Sequence, residues 1–392
     1  MPEQKKKSKK IACYIHLPWC VQRCPYCDFN AHALKGKLQA KAYHDALIMD
    51  IKQTQKQLTS MGHDHLSIDS VFFGGGTPSL MPAWVISSVL EALSLHFHLD
   101  EDAEITLEAN PGSSDHKHFK GYRQAGVNRL SLGVQSFDND CLKALGRIHD
   151  AKQAIQSFWL ARELGYENIN LDIMVGLPGK ASHQAAGKQS LLDLQTAIDL
   201  DAEHISWYEL TMEPNTLFAA RPPKLPSEHI REKIDQQGKE MLKQAGFAQY
   251  EISAYAKEGK NCRHNLHYWL FDDYLGFGAG AHGKWTLADQ RIIRQIKHKH
   301  PTAFMQSAHK IQDQKQIQQP EHLLEYMINR LRLLKPILPQ ELKQQGFEFE
   351  KIRTLLAPAF DHAWVIENPE NLMVTDLGRR WLSDLQALFL KS

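Results

Sequence analysis

The chain has 392 residues, 43% of them hydrophobic, with 46 Lys and Arg against 45 Asp and Glu. That composition supplies a full core and excludes global disorder, and a formal net charge of +1 excludes the strong positive field of a dedicated nucleic-acid binder. No run approaches the roughly 18 consecutive apolar residues of a spanning helix, and the N-terminal lysines have no apolar signal-peptide core behind them.

The length is that of two or three domains, or of one large α/β unit with an appendage. Lys5-Lys6-Lys7 and Lys9-Lys10 make residues 1–10 a basic flexible tail, solvated by default. Weak attraction to anionic lipid headgroups, about 1 kcal/mol per charge, is the alternative. Ile11 to Leu17 is a buried strand. It runs into Cys20-Val21-Gln22-Arg23-Cys24-Pro25-Tyr26-Cys27, a loop stiffened by Pro18 and Pro25. Thiolates so spaced suit an iron–sulfur cluster or zinc. A structural zinc site is closed by four protein ligands, so zinc would recruit His16 or His32. A [4Fe–4S] cubane on three thiolates instead leaves one iron free to chelate a small molecule. Tyr26 and Phe29 are placed to shield such a cluster from water. Six cysteines, three of them in this loop, argue against a disulfide scaffold and for a reducing cytoplasm. Cys13, Cys141 and Cys262 read as ordinary buried thiols.

Beyond the loop, helical and strand periodicities alternate. Helices are predicted at 41–61, 82–97, 113–124, 151–164 and 190–199, and strands at 67–73, 103–109, 127–134, 168–175 and 204–210. This alternation argues for a parallel sheet covered by helices. Six βα units are too few to close an eight-stranded barrel, so the expected fold class is α/β, an open partial (β/α)6 TIM-like barrel. Chemistry in such folds sits at the C-terminal ends of the strands. The cysteine loop follows strand one, and Gly74-Gly75-Gly76-Thr77-Pro78 follows strand two. Glu108 and Asn110 end strand three, Gln135 ends strand four, Asp172 lies in strand five, and Tyr208 and Glu209 lie in strand six. Taken singly, the glycine run is a tight turn without the Lys-Ser/Thr of a phosphate loop. Glu108, Gln135 and Asp172 are each, alone, strand-end caps or internal hydrogen-bond partners.

Residues 226–246 predict a further helix and 250–253 a short strand. Residues 285–320 are polar and are expected to be a solvated linker, with Arg291, Arg294, Lys297 and Lys299 as a basic stretch. From 321 the pattern is three helices (323–334, 339–345, 349–356), a strand pair at 364–374 around Asn368-Pro369-Glu370-Asn371, and a closing helix at 379–390. This suggests a C-terminal winged-helix-like α+β domain, whose modest charge argues for a lid or interaction module over DNA binding. The expected division is therefore 1–10, 11–284, 285–320 and 321–392.

The cysteine spacing, with an aromatic residue before the last cysteine, resembles the radical S-adenosylmethionine (SAM) enzymes. The strings YIHLPWC, FFGGGTPS, ITLEANP, RLSLGVQSF, LGRIH, NLDIMVGLPG and HISWYELTMEP resemble the oxygen-independent coproporphyrinogen III oxidases and their relatives. The likeness is strong from residue 11 to about 282 and looser beyond. It implies a [4Fe–4S] cluster on Cys20, Cys24 and Cys27, and a SAM site lined by Tyr14, Tyr26, Gly75, Gly76, Thr77, Pro78, Glu108, Gln135, Arg147 and Asp172. In that site the glycine run takes the methionine amino group, Arg147 answers the carboxylate, and Glu108 or Asp172 accepts from ribose hydroxyls. The implied chemistry is reductive cleavage of SAM to methionine and a 5′-deoxyadenosyl radical.

Two departures separate the chain from the decarboxylating oxidases. Phe29 stands where they carry a fourth cysteine, and only about ten residues precede the first strand where they carry a longer extension. Both features resemble the HemW haem chaperones, as does the HNxxYW pattern in Cys262-Arg263-His264-Asn265-Leu266-His267-Tyr268-Trp269. This resemblance implies haem binding by His264, Asn265, Tyr268 and Trp269, since a neutral imidazole ligates haem iron and aromatic rings pack on a porphyrin. Cys262 and His282 compete as ligands. Apart from the resemblance, His264 is a hydrogen-bonded histidine beside an aromatic pair, and the 285–320 basic stretch gains haem propionates or a partner as an alternative role. The implied function is a haem chaperone that binds the cluster, SAM and haem, and delivers haem to respiratory apoproteins. It would work in the cytoplasm or peripherally at the inner face of the membrane, without nucleic acid and with no catalytic residue assigned. The alternatives are oxidation of coproporphyrinogen III to protoporphyrinogen IX, and a radical SAM enzyme with an unrelated substrate. The haem acceptor, the electron donor, the use made of SAM and the oligomeric state, a homodimer included, stay open.

Overall fold

Strands that are buried on both faces read as continuous apolar runs, and they define the centre of this molecule. The structure, a computed structural model, describes residues 9–63, 66–112, 115–368 and 370–390. Strands β1 (Lys9–Leu17), β2 (Leu66–Gly75), β3 (His98–Ala109), β4 (Arg129–Gln135), β5 (Ile169–Val175) and β6 (His204–Glu209) pair in parallel in that order. Helices α1 (Ala40–Ser60), α2 (Ala83–His96), α3 (Asp115–Ala125), α4 (Ala151–Glu163) and α5 (His183–Asp199) connect them. Ile15, Val71, Leu107, Leu132 and Ile173 are fully buried in one core cluster with Leu47, Val89 and Phe158 from the covering helices. The expected open (β/α)6 arc is present.

The arc is extended at both ends. β7 (Ala248–Glu251) and β8 (Ala254–Ala256) form an antiparallel hairpin against β6. On the other side β9 (Tyr274–Phe277) runs parallel to β1, and β10 (His282–Thr286), β11 (Ile292–Lys297) and β12 (Ile311–Gln316) follow as antiparallel neighbours. The described residues thus form one open twelve-stranded sheet, ordered β12-β11-β10-β9-β1-β2-β3-β4-β5-β6-β8-β7.

Two expected boundaries are corrected. Most of the basic tail, residues 1–8, lies outside the described residues. Lys9 and Lys10 instead open β1, and Lys9 Nζ sits 2.5 Å from the Asp273 carboxylate. Residues 285–320 are not a linker: β11, β12 and the short helix Pro301–Gln306 belong to the sheet layer. Their polar composition misled because β12 is an exposed edge strand, where charge is expected. The lysine of β11 is also not solvated. Lys297 is 1% exposed and donates to Asp50 of α1 at 2.6 Å and to Thr54 at 3.0 Å.

Residues 319–390 form a second core around Leu323, Met327, Leu342, Ile352, Leu372 and Leu385. Four helices (Gln319–Arg330, Pro339–Gln344, Phe349–Leu355, Ala357–Asp361) precede the hairpin β13 (Val365–Asn368) and β14 (Asn371–Val374). The closing helix is divided at Trp381. Phe271 and Ile292 join this second core, so it is packed onto the sheet's β9–β11 side. No helix among the described residues is long and apolar enough to cross a membrane.

The Asp50–Lys297 pair locks the sheet extension to the first helix. Removing one partner of a buried pair leaves the other charge uncompensated, so Lys297→Met should lower the unfolding free energy by about 3–5 kcal/mol. Urea unfolding of the metal-free chain measures this. Wild-type stability in that variant would show that the pair does not hold the extension.

Candidate functional site

The cysteine loop leaves β1 and is braced by backbone on three sides. Gly76 N–H donates to Leu17 C=O at 2.9 Å and Thr77 N–H to Trp19 C=O at 2.8 Å, zipping the end of β2 to the loop's entry. A Cβ on Gly76 would lie 2.7 Å from Trp19 O, so only glycine permits this approach. The glycine run therefore positions the cysteine loop as well as the ligand space expected of it. Residues Trp19–Cys20 pair with His32–Ala33 in a two-residue parallel bridge. On the far side, Phe218 N–H donates to Pro25 C=O at 3.0 Å.

Cys20, Cys24 and Cys27 are all free thiols. Burial pushes the Cys20 and Cys27 thiols up, and their mutual proximity with Cys24 adds to that. A metal group that supplies positive charge would favour the thiolate forms that its binding requires. Arg147 stands beside them, with Nη1 3.7 Å from Cys24 Sγ and Nη2 donating to Asn110 Oδ1 at 2.6 Å and Gly133 O at 2.7 Å. Of the two histidines the zinc alternative would recruit, His16 has both ring nitrogens engaged, whereas His32 keeps its Nδ1 open. His16 hydrogen-bonds Tyr14 Oη at 3.1 Å and Asn30 O at 3.0 Å, and His32 Nε2 bonds Asn30 Oδ1 at 3.1 Å. Among the described residues no three His, Cys, Asp or Glu side chains, the loop cysteines included, are gathered closely enough to hold a metal ion.

The strand ends bring the other expected residues to the same rim. Gly75 N–H donates to Glu108 Oε2 at 3.1 Å, and Asn110 Nδ2 donates to Thr77 Oγ1 at 3.0 Å. Pro78 opens a buried 3-10 turn beneath them. Gln135 follows a bulge in β4 and has φ +70°, and its amide oxygen accepts from Tyr208 Oη at 2.7 Å. Asp172 accepts from Ser131 at 3.0 Å and Asn170 at 2.8 Å. Burial, and then the nearby Asp172, pushes Glu108 up to about 8, while burial also raises Asp172. Near neutral pH the Glu108 carboxyl is therefore largely protonated, and a cation beside it would favour its charged form. Tyr26 is partly buried, with its ring 6.3 Å from that of Phe218. Phe29 is not a shield: it is 64% exposed and lines the neighbouring cavity.

That cavity, about 330 Å³, joins the rim to the downstream motif. Tyr14, Gly75 and Glu108 line it from the arc, and Tyr268, Tyr274 and His282 from the other side. Of the four expected haem-binding residues, only Tyr268 reaches it. The motif forms a helix, Arg263–Trp269, packed inside the arc against β1 and β2. His264 is 1% exposed and stacked on Phe72 at 5.0 Å. Its Nε2 hydrogen-bonds Tyr268 Oη at 3.0 Å and its Nδ1 lies 3.5 Å from Ser70 Oγ. The expected open haem ligand is thus enclosed, with both ring nitrogens engaged. Asn265 is half-buried, and the Trp269 ring carries the Arg332 guanidinium at 4.2 Å. Cys262, the competing thiol, is buried and donates to Glu104 at 3.5 Å.

Asn30 was not singled out from the sequence, yet it ties the loop to the sheet extension. Its Nδ2 donates to Ala279 O at 2.9 Å and Lys299 O at 2.8 Å. Its position three residues beyond the last loop cysteine was the signal available.

Comparison with known proteins agrees with this geometry. Residues 14–184 match the model of the Radical SAM superfamily. The chain is 42% identical over 385 residues to the heme chaperone HemW of Haemophilus influenzae and 43% identical over 385 residues to that of Escherichia coli, covering 98% of this chain and 99% of each relative. The chain belongs to the HemW family. Its fold is that of the radical SAM coproporphyrinogen III oxidase (HemN) of Escherichia coli, which superposes over 98% of this chain and 91% of that one with a TM-score of 0.81 at 21% identity.

The Glu108 environment has a measurable consequence. A carboxyl whose folded pKa is raised binds more protons folded than unfolded, so its contribution to stability falls as pH rises from its ordinary value to about 8. Glu108→Gln removes that loss. In the metal-free protein the variant should melt higher than wild type at pH 9 and alike at pH 5, and equal melting at both would refute the burial effect.

Proposed function

We propose that the chain is a haem chaperone on a radical SAM scaffold, holding a [4Fe–4S] cluster on Cys20, Cys24 and Cys27 and SAM on the rim residues. Near-complete alignment with two proteins named heme chaperone HemW carries this reading. Phe29, at the position of the oxidases' fourth cysteine, supports carriage over decarboxylation.

In this reading the cluster that Cys20, Cys24 and Cys27 would hold, with SAM on the rim, would supply one-electron chemistry. The chain's own residues orient and shield. Arg147 offsets the thiolates and meets a carboxylate. Tyr14 walls the cavity, and the Gly75 backbone turns Glu108 toward an incoming ammonium. A cationic nucleotide beside Glu108 would favour its charged form. His264, Asn265, Tyr268 and Trp269 are the motif-derived haem site. Its imidazole is closed in this structure, so ligation by His264 requires the helix to move out of the arc. Delivery of haem to respiratory apoproteins, peripheral contact with the inner membrane face, an outside electron donor and a homodimer belong to the same proposal.

The anaerobically reconstituted chain should bind ferric haem in an absorbance titration and pass it to a haem-free respiratory apoprotein. With SAM, reductant and coproporphyrinogen III it should form no protoporphyrinogen IX; turnover there would replace this reading with the oxidase. Ser in place of Cys20, Cys24 or Cys27 should abolish the iron–sulfur absorbance.

A further inference from the structure

A second cavity, about 480 Å³, lies on the outer face of the cysteine loop, away from the rim. This volume is within the range of small-molecule sites. Trp19, Leu34, Pro301 and Met305 give it apolar walls, and Arg23, Lys35 and Lys37 bring three cations to it. No carboxylate lines it. The two lysines are exposed, and Arg23 donates only to Cys27 O at 3.1 Å among the described hydrogen bonds. Uncompensated cations around an apolar hollow call for a ligand with an apolar body and acidic groups.

Two imidazoles complete the lining. His32 and His300 meet edge to face, with ring centroids 5.2 Å apart. The orientation of His32 is specified. Asn30 donates through its Nδ2 to two backbone carbonyls, so the Oδ1 facing His32 is an acceptor, and His32 Nε2 must carry the proton it receives. Nδ1 is then a bare lone pair, with no partner among the described residues. A histidine whose far nitrogen donates to an oxygen while its near nitrogen stays open is arranged as a metal ligand. Burial, His300 and Arg23 all lower the His32 pKa, which keeps the ring neutral.

We infer that this cavity is an open docking site for haem, with His32 Nδ1 meeting the iron and Lys35, Lys37 and Arg23 meeting the propionates. The inference rests on the haem-carrier reading and locates the cargo that the enclosed His264 does not expose. The site shares backbone with the cysteine loop, because Trp19–Cys20 pairs with His32–Ala33 and Leu34 N–H donates to Cys20 O at 2.8 Å.

The test titrates full-length, cluster-reconstituted protein with ferric haem and with metal-free protoporphyrin. Lys35→Glu/Lys37→Glu should weaken both ligands by about tenfold or more, a loss near 1.4 kcal/mol. His32→Ala should change the haem absorption spectrum and leave the metal-free porphyrin bound as before. Iron–sulfur absorbance in each variant verifies that the loop is intact. If wild type binds haem but both variants match it in affinity and spectrum, while His264→Ala loses haem, the cargo lies at the motif helix and this inference falls. If wild type binds no haem, the carrier reading itself fails.

Discussion

Three thiols must be kept within one short loop before anything binds them, and the surroundings answer that constraint. Burial of Cys20 and Cys27 favours their neutral forms, which lessens the repulsion between them. The loop's shape comes from elsewhere: the β2 glycines, the His32–Ala33 bridge and the Phe218 amide. Arg147 then stands ready to offset charge when the thiols ionise. A loop braced in this way has less conformational entropy left to lose on binding a ligand.

The same economy governs the ligand space above the loop. Glu108, Asp172 and Arg147 come from three different strands or turns, and each is tied down by backbone or by a neutral side chain. Such tethering fixes direction without neutralising the carboxyls. Their electrostatic demand is left for the ligand. The motif helix inside the arc contributes differently: its His264, Tyr268 and Cys262 knit the interior to Ser70 and Glu104.

The parallel arc and its chemical rim were legible because they depend on local signals. Alternating helix and strand periods marked the βα units, and the tight cysteine spacing marked the loop. Less legible was whatever depends on distant partners. Lys297 read as a solvated cation because nothing near it in sequence shows that Asp50 lies beneath it. β12 carries so many polar residues that its pairing with β11 is invisible without the sheet. His264 sits in a recognisable motif, but the motif does not reveal that Phe72 and Tyr268 enclose the ring. Phe29 was read as a shield from its closeness in sequence to Cys27, whereas it is exposed at the neighbouring cavity.

The first strand is flanked on one side by residues 66–75 and on the other by residues 274–277. During synthesis from the N-terminus, β1 therefore waits with one edge unsatisfied until two-thirds of the chain has emerged, and α1 waits longer for Lys297, 247 positions beyond Asp50. Loop closure over such separations is slow. The nascent chain thus carries an unpaired edge of an apolar strand immediately before its cysteine loop until residues 274–277 emerge.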